Sequence, residues 1–154
     1  INRKFRNLIR VGLLVLLVQI IYGAFVAGLD AGFIHNFWPM MSEGQFMHET
    51  VYIEKNPLIK NFFEGKSGVQ FVHRILAYVV VLFVFITWKK SRKLQVTTYQ
   101  SKGINLLLIF VAIQFLLGVL TILLQVPVWL GVAHQVGAFL LLATYTFTLH
   151  RFSK

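Results

Sequence analysis

The sequence predicts an all-α fold, an integral membrane four-helix bundle with both termini in the cytoplasm. Three observations lead to this prediction. The 154 residues are 57% hydrophobic and only 13% charged, with a mean hydropathy of +0.72, whereas soluble domains contain about 25% charged residues. Four apolar stretches approach the roughly 20 residues that cross a bilayer. Basic residues gather at one set of ends of these stretches, and acidic residues gather at the other.

The four stretches are residues 8–29, 68–88, 104–124 and 127–149, and each is expected to form a transmembrane helix. Only Gln125 and Val126 separate the third span from the fourth, so these two spans are expected to form an antiparallel hairpin. Pro127 suits the first turn of a helix, where its missing N–H is not needed. Residues 30–67 form a long polar loop, and residues 89–103 form a short basic one. The whole chain, residues 1–154, is predicted to be a single transmembrane domain.

The distribution of charge predicts the direction of threading, because Lys and Arg near helix ends stay on the cytoplasmic side. Basic residues precede the first span, fill the 89–103 loop and end the chain, whereas all five acidic residues fall in or beside the 30–67 loop. We expect most of these charges to be solvated anchors at the surface of the lipid. The net charge of +10 does not indicate a nucleic-acid partner, since the basic residues lie at the ends of apolar runs.

The chain has no cysteine, which excludes disulfides, thiolate metal sites, iron–sulfur clusters and haem attached through a C-x-x-C-H motif. The chain begins at Ile1. Its first apolar run is too long for a signal peptide and ends without a small-residue cleavage site. We interpret the chain as a fragment or a processed form.

Two histidines fall inside predicted spans, where an ionisable side chain is costly and indicates a functional site. His73 is about five residues, and His134 about seven, from the outer ends of their spans, or roughly 8 and 10 Å at about 1.5 Å per residue. Both spans run from outside to inside, so the rings are expected at one level. Two neutral imidazoles complete six-coordinate haem iron, because the macrocycle supplies the other four ligands. We predict that His73 and His134 bind the iron of a haem b.

Small and polar residues surround the two histidines at helical spacing. Residues three or four positions away share a helix face, and small side chains there leave flat room for a porphyrin. Arg74 is placed to pair with a haem propionate near the interface. The glutamines are placed to reach polar edges of the cofactor. The predicted haem contacts besides the two histidines are Gln70, Arg74, Ala77, Gly131, Gln135, Gly137 and Ala138.

The same features have simpler interpretations. A single membrane histidine often hydrogen-bonds a neighbouring helix, and small residues often only let helices approach each other. Zinc is less favoured, since no third ligand is evident at the level of the two histidines.

Three segments resemble a known family. They are Tyr22–Gly32 (YGAFVAGLDAG) with Asn36–Pro39 (NFWP), Val69–Ala77 (VQFVHRILA) and His134–Gly137 (HQVG). Together they resemble the C-terminal half of haem A synthase, and the similarity covers essentially the whole chain. Members of that family are membrane enzymes with two pseudo-symmetric four-helix halves. They oxidise a methyl group of haem O to the formyl group of haem A, which serves cytochrome oxidases.

The resemblance implies a division of labour between the halves. The N-terminal half handles the substrate haem O, and the C-terminal half holds a haem b for electron transfer, with His73 and His134 as its ligands. A required Glu precedes the first histidine of the N-terminal half by three residues, and Gln70 stands at that position here. An amide does not exchange protons as a carboxylate does at neutral pH. We therefore expect an oxidoreductase module without a catalytic residue of its own.

The expected partners are the N-terminal half of the same enzyme or a second copy of the chain, in the bacterial cytoplasmic membrane or the mitochondrial inner membrane. An alternative function is a free-standing b-type cytochrome or a haem-binding subunit of another membrane complex. A structural or transporter-like bundle is the non-redox alternative, since transporters also use parallel repeats. The purified protein would then be colourless.

Overall fold

The computed structural model describes residues 3–153, so that Ile1 and Lys154, the ends of the predicted domain, lie outside the described residues. Within this range the chain is helical and contains no strand. The helices are α1 (Arg3–Gly28), α2 (Thr50–Ile53), α3 (Asn61–Glu64), α4 (Lys66–Ser91), α5 (Thr98–Leu123) and α6 (Val128–Ser153). Short 3₁₀ turns cover Ala31–Phe33 and Leu58–Lys60.

The four long helices, α1, α4, α5 and α6, each contain 26 residues and are long and apolar enough to cross a membrane. The predicted all-α membrane bundle is thereby confirmed. The helices extend past the apolar spans because local hydrogen bonding, not hydropathy, sets their ends. At α5 a capping box does this: the Thr97 side chain accepts from the Gln100 backbone N–H at 3.3 Å, and the Gln100 side chain accepts from the Thr97 N–H at 2.9 Å. The cytoplasmic location of the termini stays a prediction.

The long helices form a ring in which each packs against two neighbours. Helix α1 contacts α4 and α6, and α5 contacts the same two helices. Helix α5 is antiparallel to both α4 and α6, because the turns at residues 92–97 and 124–127 are too short for any other arrangement. Helices α4 and α6 therefore lie diagonally across the ring and run in the same direction.

A hydrophobic core occupies the half of the bundle away from the long loop, and a separate set of buried residues, among them Met41, Val69 and Leu130, lies at the end that carries the loop. The buried side chains of the core are Phe5, Ile9, Leu16, Val80, Val84, Ile104, Leu107, Val111, Leu141, Tyr145 and Phe152. The other half contains what we call the histidine layer, residues 17–28, 71–79, 112–120 and 131–140. Arg74 is the only one of these residues to be classed as buried, and it is 9% exposed. The histidine layer is thus more loosely packed than the hydrophobic core on one side of it and the buried residues beneath the outer segment on the other.

The outer segment, residues 29–65, is fixed to the bundle by polar side chains. The Asn61 side-chain amide donates to the carbonyls of Tyr52, Lys55 and Leu58, and its oxygen accepts from the Lys55 N–H at 2.7 Å. Glu54 accepts from the backbone N–H groups of Lys66 and Ser67 at 3.1 Å, so a carboxylate of the outer segment caps the first turn of α4.

Candidate functional site

His73 is held between α1 and α4. A Cβ atom at Gly23 of α1 would lie 3.2 Å from Cε1 of the His73 ring, so the ring rests against a position that has no side chain. The Gln19 side-chain amide nitrogen is 3.5 Å from His73 Nε2. The other ring nitrogen, Nδ1, is buried and has no hydrogen-bond partner within residues 3–153. A buried polar atom without a partner calls for an explanation, and a bound ligand would supply one.

His134 has a matching environment between α5 and α6. A Cβ atom at Gly118 would lie 3.0 Å from Cε1 of the His134 ring. The Gln114 amide nitrogen is 3.1 Å from His134 Nδ1 and also donates to the His134 carbonyl at 2.8 Å. Each histidine therefore has a glycine under its ring and a glutamine amide beside one ring nitrogen.

The fold brings the two rings to the same end of the bundle from diagonal helices. Counting from Lys66 and Val128, His73 is the eighth residue of α4 and His134 the seventh of α6, which places them about 11 and 9 Å along parallel helices at about 1.5 Å per residue. Helices on opposite sides of the ring thus carry two imidazoles at one level of the bundle.

Aromatic side chains line the α4–α5 side of the histidine layer. The ring centroids of Tyr78 and Phe115 are 5.4 Å apart, and Trp38 of the outer segment lies 6.1 Å from Phe115. Such a wall suits a flat apolar ligand, since aromatic rings favour edge-to-face and offset contacts.

Arg74, the predicted propionate partner, is only 9% exposed and is engaged with the outer segment. Its NH1 donates to the carbonyls of Phe37 at 2.9 Å and Met40 at 3.1 Å, and its NH2 donates to the carbonyl of His35. Arg74 therefore holds the outer segment against α4. The propionate contact stays a prediction.

Gln70 is fully buried and has a similar structural role. Its side-chain amide donates to the carbonyls of Ala31 at 2.8 Å and Ile34 at 2.6 Å. These bonds fix the 3₁₀ turn that follows α1. The contact between Gln70 and the cofactor stays a prediction, and both amide protons already have acceptors.

The other predicted contact residues do not share one location. Ala77, Gly131 and Ala138 are half-buried on α4 and α6, whereas Gln135 is exposed. Gly137 faces α5, because a Cβ atom there would collide with Oε1 of Gln114. Gly137 and Gln114 also border a groove of about 380 Å³ on the exposed side of the α5–α6 hairpin, together with Trp129, Val132 and Val136. Gly137 thus makes room for a glutamine.

The donor set at this site is two imidazoles. Within residues 3–153 there is no cluster of three or more His, Cys, Asp or Glu side chains able to hold a metal ion. Two imidazoles do suit iron that receives its other four ligands from a porphyrin. The partnerless Nδ1 of His73, the glycines under both rings and the loosely packed layer all fit a haem between α4 and α6.

Sequence reasoning missed Gln19 and Gln114. A signal for them does exist in the sequence. A Gln-x-x-x-Gly motif occurs in both α1 and α5, as Gln19 with Gly23 and as Gln114 with Gly118, and the two motifs are 95 positions apart. Each motif places an amide and a gap on one helix face.

Comparison with known proteins shows the family to which the chain belongs. Residues 1–146 match the model of the cytochrome oxidase assembly protein family, COX15-CtaA. The protein named heme A synthase from Flavobacterium johnsoniae is 60% identical over 149 residues, which are 97% of this chain and 44% of that protein. The heme A synthase of Flavobacterium psychrophilum is also 60% identical, over 150 residues, which are 97% of this chain and 44% of that protein.

A more distant relative, the heme A synthase of Wolbachia pipientis wMel, is 39% identical over 137 residues, which are 89% of this chain and 37% of that protein. The chain spans less than half the length of these relatives. No solved structure matches the chain. The family match over nearly the whole chain and the four membrane-spanning helices lead to one conclusion: the chain is an integral membrane protein of the haem A synthase family.

Proposed function

We propose that this chain is the haem b-binding C-terminal half of a haem A synthase, in which His73 and His134 are the two axial ligands of the iron. The observation that carries the proposal is the placement of the two imidazoles. They come from parallel, diagonal helices and lie near the same end of the bundle. Family membership supports haem as the ligand.

A haem held by two imidazoles carries single electrons on six-coordinate iron. The residues of this chain bind and orient it. His73 and His134 would hold the iron between them, which would leave no open coordination position for a substrate. Gly23 and Gly118 let the rings approach the neighbouring helices, and the inner core keeps the helices in register. This arrangement suits electron transfer.

Oxidation of the haem O methyl group to a formyl group is assigned to the other half of the enzyme. A proton-transfer step needs a group that can gain and lose a proton near the reacting atom. Gln70 stands where such a group would be expected, but its amide donates to the carbonyls of Ala31 and Ile34. The proposed contribution of this half is to deliver or remove electrons.

Absorption spectra of the purified protein in its oxidised and reduced forms test the proposal. We expect a low-spin b-type spectrum. His73→Ala and His134→Ala should each abolish it or convert it to a high-spin form, because one axial ligand is lost. His150→Ala is the matched control, since His150 is exposed at the opposite end of α6. It should leave the spectrum unchanged.

Two results would overturn the proposal. Wild-type spectra in both His73→Ala and His134→Ala would remove the ligand assignment. Protein that stays free of haem after expression with added haem precursor would exclude the site as a whole.

A further inference from the structure

Two glutamines occupy equivalent positions beside the two histidines. Counting from Arg3 and Thr98, Gln19 and Gln114 are both the seventeenth residue of a 26-residue helix. Each lies one turn before the glycine that contacts a histidine ring. Each directs its amide nitrogen at a ring nitrogen, at 3.5 Å for His73 Nε2 and 3.1 Å for His134 Nδ1. The two helix pairs thus repeat one arrangement of glutamine, glycine and histidine.

The chemistry of this arrangement concerns which ring nitrogen carries the proton. A neutral imidazole has one N–H and one lone pair, and the hydrogen bond at one nitrogen determines which form is present. A histidine that binds a metal needs its lone pair on the metal side, and its other nitrogen usually donates to a protein acceptor. The residue beside that second nitrogen therefore determines which ring nitrogen is free to bind the metal.

A glutamine amide can partner either form of the ring, because it carries a donor at one end and an acceptor at the other. Here the donor ends face the rings. The acceptor ends, Oε1 of Gln19 and Oε1 of Gln114, are buried and have no hydrogen-bond partner in the described part of the chain. Rotation about the terminal side-chain torsion, which has a broad two-fold profile, exchanges the two ends.

We propose that Gln19 and Gln114 are positioning residues. Each orients the adjacent histidine ring and accepts a hydrogen bond from one ring N–H, which leaves the other ring nitrogen free to bind iron. This inference rests on the proposed haem-binding function. The amides are not ligands themselves, and they act through His73 and His134.

The surroundings of Gln114 support this role. Gly137 has no Cβ atom where the Gln114 amide oxygen lies, and any larger residue would collide with that oxygen. The Gln114 amide nitrogen also donates to the His134 backbone carbonyl, which holds the amide beside the ring. Rotation of the amide would exchange this bond for one from the ring N–H to Oε1. A glutamine that only joined two helices would not need a buried oxygen without a partner.

Substitutions in the full-length protein, reconstituted in nanodiscs with haem b, test the inference. Gln19→Leu and Gln114→Leu remove the acceptor, and Gln19→Glu and Gln114→Glu replace it with an anionic one. Gln95→Leu is the matched control, because Gln95 is exposed in the loop between α4 and α5. The readouts are the rate of haem transfer to apomyoglobin, the low-spin electron paramagnetic resonance spectrum and the reduction potential.

We expect the leucine variants to bind haem roughly 10–100-fold more weakly and to release it correspondingly faster, because loss of the partner of a metal-ligating histidine typically costs that much affinity. Their resonance spectra should shift as the ring planes reorient. The glutamate variants should retain haem but shift the reduction potential downward, because an anionic acceptor stabilises the oxidised iron. The Gln95→Leu variant should match the wild type in all three measurements.

The inference and the function on which it rests fail in different ways. If the leucine and glutamate variants keep wild-type haem retention, spectra and potential while His73→Ala and His134→Ala still lose the low-spin signal, the inference is wrong and the haem site stands. If the histidine variants also keep that signal, the proposed function itself fails.

Discussion

The ring of His134 lies directly against Gly118 of the neighbouring helix, at a distance where an added methyl group would sit 3.0 Å from Cε1. The ring of His73 lies against Gly23 in the same way, at 3.2 Å. Both glycines are five positions before the last residue of their helices, Leu123 and Gly28. The orientation of each imidazole is therefore limited by a position that cannot accept a side chain without displacing the ring.

Replacing Gly118 with valine should displace His134 and lower haem content. Overpacking of a closely fitted position costs about 1–3 kcal/mol, so we expect a lower midpoint of thermal unfolding in detergent together with loss of the low-spin spectrum. Gly23→Val should act in the same direction on His73. Gly28→Val is the control, since a Cβ atom there meets no neighbour within 4 Å. Full haem content in the Gly118→Val variant would contradict the assigned packing.

Replacing Arg74 with lysine should release the outer segment even in haem-free protein. Lysine keeps the positive charge but loses the planar fork that reaches the carbonyls of His35, Phe37 and Met40. Each bond to a charged donor contributes about 1.5–3 kcal/mol. Limited proteolysis should therefore cut residues 29–65 faster. Arg92→Lys, a change at an exposed residue of the opposite loop, should have no such effect.

Acidification should loosen the outer segment through His35. Burial lowers the pKa of His35 below its ordinary value of 6.5, and the nearby His48 and Arg74 lower it further, against a smaller opposing effect of Glu54. The folded segment then binds fewer protons than the unfolded one, so stability is lost as the pH falls below about 6.5 toward the folded pKa. The protection factors of the Thr50–Ile53 amides, which are corrected for the faster intrinsic exchange at higher pH, should be lower at pH 5 than at pH 7.5.

The His35→Asn variant isolates this effect. His35 has a positive φ of 50°, a conformation that Asn tolerates better than most residues. In this variant the protection factors of the Thr50–Ile53 amides should depend less on pH than in the wild type. An unchanged dependence would mean that another group is responsible.

The absence of cysteine from the sequence allows a direct test of threading. A single cysteine at Glu49 should react with a membrane-impermeant maleimide added to intact cells, because the outer segment is predicted to face outward. A single cysteine at Lys93 should react only after the membrane is permeabilised. The opposite labelling pattern would show that the positive-inside rule fails for this chain.

The number and type of the long helices could be predicted because length and hydropathy alone decide whether a helix can span a bilayer. Their ends could not be predicted from hydropathy. The α5 helix begins at Thr98, directly after the Thr97 cap and six residues before the apolar run. Polar residues can form this first part of the helix because the capping box satisfies its free backbone N–H groups.

The candidate site was predicted unevenly for a similar reason. His73 and His134 stand out because ionisable residues are rare inside spans. The partners of Arg74 and Gln70 are backbone carbonyls of the outer segment, and no periodicity in the sequence indicates where an irregular segment folds back. The role of Gly137 depends on the side chain of Gln114, and such a relation between two helices appears only once they are packed.

The hydrophobic core at the end of the bundle away from the outer segment bears on the order of assembly. Its contacts are made by side chains of the chain alone, so this end can assemble as soon as the helices have entered the bilayer. If the histidine layer receives a haem, as proposed, then insertion of the helices and loading of the cofactor are separable steps.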